Sequence, residues 1–468
     1  MKIAIVGAGI SGCATYLLLK KHLPPPLGDE PHSITIYEAH DTATSQEDRD
    51  QDSSTPTVGG GLGVGANGLG VLKRLEEKLL CEVVASGYVV PTIVFKTKHA
   101  TVLVRAQHQC NNGSDAQMHT VASSRHRLWS CLRSRIPESD IVVKQVTHVV
   151  ADPMRRNTIS FADGSPSVEA DMVIGADGVK SPTRRALFPD SEHDDFSPHF
   201  EGLIGVGGFI PSANAQKHVE KGTMNFVFGG NGFFGYFFAD SAAGAPQRAS
   251  PFHVSEPGDR LAWWSTFAAD KYRGPGMLDK QAVARQLRNR LRHWKDPVVQ
   301  EVLASLHVDS IYPTWTVPLL PTWERDGVVL VGDAAHALPP TSGQGTSQAL
   351  EDAEALTLLL CYYLGEAYRE RLAHVQGQKQ AIRMAAKRYE NLRLPRVTKI
   401  LRDAQSRQNT KRNKGFIAEK LMYLMLWIIG WFPSLVMKQM STVVDYNVAH
   451  EVKKLVEKEK ETAKEKED

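Results

Sequence analysis

Residues 327–356 read GVVLVGDAAHALPPTSGQGTSQALEDAEAL, and this stretch decides the fold. Gly327 to Val331 is apolar, uncharged and β-branched, the composition of a short strand buried on both faces. It ends at Gly332-Asp333, so a carboxylate stands at the carboxyl end of a strand, where open α/β sheets bind ligands. A turn of small residues follows, then Pro339-Pro340 and Gly343-Gln344-Gly345. From Gln344 onward Ser347, Ala349, Leu350, Ala353, Leu356 and Leu360 recur at helical spacing. A helix that starts among glycines offers free backbone N–H groups and the positive end of its dipole. One unit thus supplies a carboxylate for a hydroxyl-rich ligand and an electropositive helix start for an anionic one.

The N-terminus repeats this logic. Ile3 to Val6 is a buried strand by composition, and Gly7-Ala8-Gly9-Ile10-Ser11-Gly12 fits G-x-G-x-x-G before a helix from Cys13 to Lys21. Gly7 permits the tight turn, Gly9 lets the backbone approach a pyrophosphate, and Gly12 lets helix and strand pack closely. Ser33 to Tyr37 is the next strand, and Glu38 ends it as an acceptor for ribose hydroxyls. A third strand, Asp171 to Ile174, ends in Gly175-Ala176-Asp177-Gly178. Asp177 alone could be a turn residue or cap, but three strand ends of this kind in one chain point to a shared ligand. A dense glycine run at 59–68, with Gly60 and Gly61 at its head, precedes a helix from about Leu69 and suits a second wall of the same site. Arg125 opens a helix running to about Ile136, placed to reach a phosphate.

Residues 191–324 change character. Aromatic, strand-like runs dominate, and glycines 229, 230, 232 and 235 would let the backbone approach a flat ligand. Strand alternation gives one face with Met224, Phe226 and Phe228 and another with Phe234, Tyr236 and Phe238. Phe226, Phe228, Phe234 and Tyr236 are the expected substrate-facing residues, with an aromatic core as the equal alternative for any one of them. YVVPTIVF and ATVLVR, joined by KTKH, predict a hairpin. Hydrophilic loops are expected at 40–56 and 108–119. Beyond 356 the chain is helical. Residues 415–437 are strongly apolar but broken by Gly430 and Pro433 and carry Glu419 and Lys420. A single span needs about 20 apolar residues, so a helix packed on the body is favoured over a weak, monotopic membrane contact.

Composition bounds the function. The 468 residues predict two or three domains, and a formal charge of +3 gives no argument for nucleic acid. Five scattered cysteines without a C-x-x-C pair exclude a disulfide framework and a zinc site, so no metal is expected, and they point to a reducing, cytoplasmic setting. Met1 and Lys2 lead straight into the first strand, leaving no room for a signal peptide.

Taken together and in this order, GAGISG with Glu38, GADG at 175–178 and GDAAH…P…GQG at 332–345 resemble the FAD-dependent group A monooxygenases, of the p-hydroxybenzoate and salicylate hydroxylase type. The finer likeness is to fungal members. Ala66-Asn67 stands where Pro-Asn is common in that family. The resemblance covers residues 1 to about 405. It implies an α/β fold with an FAD-binding Rossmann-like domain built from 1–88, 120–190 and 325–410. A substrate domain with an inserted antiparallel sheet would come from 89–119 and 191–324, and C-terminal helices from 411–468. It further implies that Gly7, Gly9 and Gly12 hold the FAD pyrophosphate and Glu38 the adenosine ribose. Gly60, Gly61 and Arg125 would also contact the cofactor, and Asp177 would serve both FAD and NAD(P)H. Asp333 would bond the ribityl chain, and Gly343, Gly345 and Thr346 would present N–H groups to the flavin ring. The activity implied is NAD(P)H- and O2-dependent hydroxylation or epoxidation of an apolar, aromatic small molecule through a flavin C4a-hydroperoxide, of a kind used in secondary metabolism. The alternatives are a same-fold oxidase or reductase without oxygen insertion, and a non-catalytic FAD-binding protein at a membrane. Tyr236 and Phe234 are the candidate substrate-facing catalytic residues; His336 is a second candidate base, with a structural role in the GDAAH turn preferred for it.

Overall fold

The computed structural model describes residues 1–27, 30–41, 61–107, 118–190, 195–269, 279–370, 375–408 and 415–467. Gly60 and most of the two hydrophilic loops lie outside these residues.

Among the described residues, four sheets organise the chain. The first has six strands in the order β18 (Glu324–Arg325), β19 (Val328–Leu330), β12 (Met172–Gly175), β1 (Lys2–Val6), β2 (Ser33–Glu38), β8 (Ile141–Val143). Its pairs are parallel except β18–β19. The three predicted ligand-bearing strands β1, β12 and β19 lie side by side, as their all-apolar sequences require. Ile5, Val173, Ile174, Val328, Val329 and Leu330 are fully buried. Helices α1 (Ile10–His22) and α9 (Gly345–Arg369) pack against each other on this sheet, and α10 (Val375–Gln408) covers α9.

The second sheet has seven strands. Their order is β17 (Ser310–Thr316), β13 (His199–Pro211), β16 (Arg260–Ala268), β15 (Gly232–Phe238), β14 (Thr223–Gly229), β5 (Thr92–Thr97), β6 (Val102–Gln107). The predicted hairpin at 88–107 therefore joins the aromatic strands, through a parallel β14–β5 pair. Helices α6 (Lys280–Leu291) and α7 (Pro297–Ala304) close one face of it. A small sheet, β3 (Gly61–Val64), β7 (Val121–Ser124) and β4 (Tyr88–Val89), lies between the two large ones, and another, β9 (Val146–Val150), β10 (Asn157–Phe161) and β11 (Val168–Ala170), flanks the first. The remaining helices are α2 (Ala66–Leu75), α3 (Glu77–Ala85), α4 (Arg125–Arg133), α5 (Pro182–Arg185), α8 (Asp333–His336), α11 (Phe416–Gly430), α12 (Pro433–Val444) and α13 (Val448–Glu467).

Residues 415–437 pack on the body along β6, as favoured, but as two helices and not one. They form α11 and the start of α12, bent by 90° across Trp431-Phe432, with Phe416, Ile417, Leu421, Trp431 and Leu435 more than 60% exposed. No single helix among the described residues is long and apolar enough to cross a membrane.

Candidate functional site

Three helix starts define a groove. α1 begins at Gly9, α2 at Gly65 and α9 at Gln344; none has a side-chain cap, and none has an acidic residue in its first turn. By contrast α4, α5, α6 and α7 are capped by Ser124, Ser181, Asp279 and Asp296. Uncapped starts leave donors for a ligand.

The glycines fit this role. Gly7 has φ +101, and a Cβ there would come within 2.6 Å of the Ala176 carbonyl oxygen. A Cβ on Gly12 would overlap the Gly7 carbonyl oxygen, so helix and turn pack as predicted. Gly9, Gly343 and Gly345 instead face open space. Glu38 leans over the same turn, accepting the Ala8 N–H at 2.6 Å, and the Trp129 indole donates to the Ala8 carbonyl at 2.7 Å.

The other walls join through side chains. Gly332 packs on Ser11, with φ +60 that forbids a Cβ in any case. Asp333 is half-buried and carries no hydrogen-bond partner among the described residues. Asp177 borders Gly7; its Oδ2 accepts the Thr183 N–H at 3.0 Å, and its Oδ1 is an orphan. Burial raises the Asp177 pKa against the lowering bonds from Ser181 and Thr183. Asn67 Oδ1 and Ser123 Oγ are likewise buried without partners among the described residues. Ser347 Oγ accepts the Gly65 N–H at 3.2 Å, tying α2 to α9. Thr346 is half-buried on the first turn of α9, and Arg125 stands exposed at the first position of α4, beside the Gly61–Ser124 pair. Uncapped helix starts, open glycines and orphaned polar atoms on one groove fit a dinucleotide with a hydroxyl-rich linker and an anionic ring.

A buried polar lattice under the start of α9 holds this arrangement. Arg393 is fully buried and donates to Asp352 Oδ1 at 2.8 Å, to Gln348 Oε1 at 2.7 Å and to Glu351. Arg396 bonds Glu351 at 2.8 and 2.9 Å, and Asn67 Nδ2 bonds it at 2.6 Å. Asp352 Oδ2 accepts from the Gly332 N–H at 2.9 Å and contacts His336 Nε2 at 2.5 Å. Burial alone would raise the Asp352 pKa, but His336 and Arg393 outweigh it and hold the carboxyl at about 2. His336 is therefore an anchor in this lattice and not a free base. Arg184, also buried, clamps the first turn of α8 by donating to the Ala334 carbonyl at 2.9 Å. Sequence reasoning missed Trp129, Glu351, Asp352, Arg184 and Arg393 as positioning groups. The signal was present: Glu351 and Asp352 sit on the apolar face of a helix, where a charge needs a partner.

The expected substrate-facing pair needs correction. Phe234 and Tyr236 are fully buried on the face covered by α6 and α7. Tyr236 lies between Lys96 (2.8 Å) and Asp296 (3.2 Å), and burial, then Asp296, raises its pKa far above the phenol range. Desolvation lowers the pKa of Lys96. Asn225 pairs with Tyr236, and Phe226 with Gly235, so Phe226 and Tyr236 lie on opposite faces. The other face carries Phe95, Met224, Phe226, Phe228, Phe237 and Trp264. Phe226 meets Phe95 and Trp264 edge-on at 5.5 and 5.6 Å. This face meets β3: a Cβ on Gly61 would touch Phe237 at 2.6 Å, and one on Gly63 would reach Met224 at 3.9 Å.

Comparison with known proteins gives the same picture. Residues 145–390 match the family model described as FAD binding domain. The chain is 24% identical over 408 residues to 3-amino-4-hydroxybenzoate 2-monooxygenase of Streptomyces cremeus, covering 86% of each. It is 24% identical to salicylate hydroxylase of Pseudomonas putida, over 77% of this chain and 76% of that protein. The fold matches that of Klebsiella pneumoniae HpxO complexed with FAD and uric acid, with a TM-score of 0.70 at 18% identity over 95% and 96% of the two chains. The family match spans more than half of the chain, so the protein belongs to the FAD binding domain family and is an FAD-dependent monooxygenase.

Proposed function

We propose that the chain hydroxylates or epoxidises an apolar, aromatic small molecule held between the aromatic face of the seven-stranded sheet and the flavin groove. Bound FAD would take a hydride from NAD(P)H and activate O2; the chain binds, orients and excludes water. In this reading the α1 start with Gly7, Gly9 and Gly12 holds the pyrophosphate, and Glu38 exchanges its Ala8 bond for ribose hydroxyls. Gly61 and Arg125 line the cofactor, and Asp177 borders both nucleotides. Asp333 takes the linker hydroxyls. Gly343 turns the chain, its N–H held by the Pro340 carbonyl, so that the uncapped N–H groups at Gly345 and Thr346 steady negative charge on the ring, worth about 0.3–1 kcal/mol exposed and up to about 2 kcal/mol partly buried.

The observation that carries the substrate reading is the open aromatic face that meets β3 at Gly61 and Gly63. Phe95, Met224, Phe226, Phe228 and Trp264 are only half-buried there, although each is a side chain that a closed core would cover fully. Three relatives by name act on hydroxylated aromatic acids or related rings, which agrees with such a platform.

The test is a screen of phenols and fused aromatics for stimulation of NADPH oxidation, with oxygen-18 from O2 followed into the product. With any active compound, Phe226→Ala and Trp264→Ala should raise KM by roughly tenfold to a hundredfold, the worth of one lost aromatic contact. Tyr236→Phe should leave KM alone and lower stability by about 1–3 kcal/mol, because Lys96 and Asp296 lose the hydroxyl between them. A KM effect confined to Tyr236→Phe would overturn the assignment of faces.

A further inference from the structure

The α11–α12 elbow is apolar on the wrong side for a helix pair packed on a protein. Its inner side packs along β6 and α2, burying Met422, Tyr423 and Val444. Tyr423 Oη bonds the Phe228 carbonyl and Glu419 Oε1, each at 2.7 Å, and Lys98 pairs with Glu419 at 2.8 Å. Gly430 lies against the Leu103 carbonyl so closely that a Cβ would overlap it, and Arg396 donates to the Val443 carbonyl at 2.7 Å. These contacts fix which side faces out, and that side carries Phe416, Ile417, Leu424, Trp427, Trp431 and Leu435. Contiguous apolar surface on this scale marks an interaction site.

We propose that this elbow docks on the surface of a bilayer bearing anionic headgroups. Four observations select that partner. Neither helix alone is long and apolar enough to cross a bilayer, and the 90° bend lets both lie along a surface. Trp427 and Trp431 sit together at the bend, with ring centroids 4.6 Å apart, and indoles favour the headgroup level. Glu419 is the one acidic residue between 415 and 444, and it is turned inward and paired. The cations Lys420 and Lys438 are both exposed. Lysines beside an apolar ridge extend to anionic headgroups. A second copy of the chain would have to cover both lysines with no acid on the elbow to meet them.

The elbow also borders the site. It runs from the edge strand β6 and the Phe228 carbonyl to Gly65 at the start of α2, where Val444 is in packing contact with the glycine. Docking would thus set the rim of the aromatic cleft at the lipid surface, and apolar substrate dissolved in the bilayer would reach the cleft without crossing water. This last step rests on the proposed function; the lipid contact does not.

The test uses the full, FAD-reconstituted chain. It should co-sediment with vesicles of phosphatidylcholine and phosphatidylserine, and more weakly with phosphatidylcholine alone. Lys420→Gln with Lys438→Gln should lower binding to the mixed vesicles by roughly thirtyfold at low salt. Leu424→Glu with Trp431→Glu should abolish binding to either vesicle, with FAD content and far-UV circular dichroism unchanged. Failure of the wild-type chain to bind, or equal binding by the Leu424→Glu, Trp431→Glu variant, overturns the proposal. So does a lipid-free dimer, seen by sedimentation velocity, that the same substitutions dissociate. Vesicle binding is read without turnover, so a chain that binds lipid but inserts no oxygen refutes the functional reading alone.

Discussion

Arg393 is the residue on which the flavin end of the groove depends. It is fully buried, and its guanidinium serves Asp352, Glu351, the Gln348 side chain and the Gln348 carbonyl. Replacing it in Arg393→Met leaves two buried carboxylates sharing the remaining cations. Glu351 keeps Arg396 and Asn67, while Asp352 keeps His336 and the Gly332 N–H. Breaking a buried pair from one side costs about 3–5 kcal/mol, because the abandoned charge stays out of water. Arg393→Lys keeps the charge but not the planar fork and should cost less. Adding Asp352→Asn to Arg393→Met should recover part of the loss by removing one orphaned charge. The effect has a sign in pH. Asp352 is depressed to about 2 in the folded chain, so its contribution is full above the ordinary carboxylate pKa near ~4 and is lost as pH falls from there through about 2. The stability gap between wild type and Arg393→Met should therefore be widest above pH ~4 and narrow below it. Urea unfolding at saturating FAD, repeated across pH, reads both quantities. A loss below about 1 kcal/mol at neutral pH, with an unchanged m-value, would show that the lattice is not what holds α9.

Two further substitutions probe the groove directly. Gly12→Ala should abolish FAD binding, since the added Cβ meets the Gly7 backbone oxygen and neither partner can swing aside; flavin fluorescence titration of a variant with native circular dichroism checks it. Asp333→Ala should weaken FAD binding by roughly tenfold to a hundredfold, the usual worth of about 1.5–3 kcal/mol for a bond to a charged group; unchanged affinity would remove Asp333 from the linker.

The central sheet was legible because parallel strands buried on both faces are written as uninterrupted apolar runs. Ile3 to Val6, Met172 to Ile174 and Val328 to Val331 could be nothing else; each ends in a glycine, and Asp177 and Asp333 follow the second and third. Gly7, Gly12 and Gly332 were legible for a related reason: each position excludes a Cβ, by φ or by contact, so the residue type records the geometry. The lattice of Arg393, Glu351, Asp352 and Asn67 was not, because its members are separated by up to 326 residues and only the fold brings them together. A buried charge in an apolar helix announces that a partner exists but not which one.

The misassigned aromatic face has a sharper cause. Met224–Phe228 and Phe234–Phe238 each alternate cleanly, so the two faces of each strand were correct taken singly. Joining them requires the register, which the loop sets. The turn between Gly229 and Gly232 leaves two residues outside the ladder, so Phe226 pairs with Gly235 and Phe228 with Phe233. A loop one residue longer would have put Phe226 and Tyr236 on one face, and a shift of one residue inverts every side chain that follows. The segment GGNG offers several ways to turn, because three of its four residues are glycine and impose almost no conformational preference. What resolved the ambiguity is tertiary. Lys96 and Asp296 bind the Tyr236 hydroxyl from behind the sheet, while Phe226 keeps an exposed edge on the side of β3. The glycines that let this sheet lie close to a flat ligand are thus the same residues that hid its orientation.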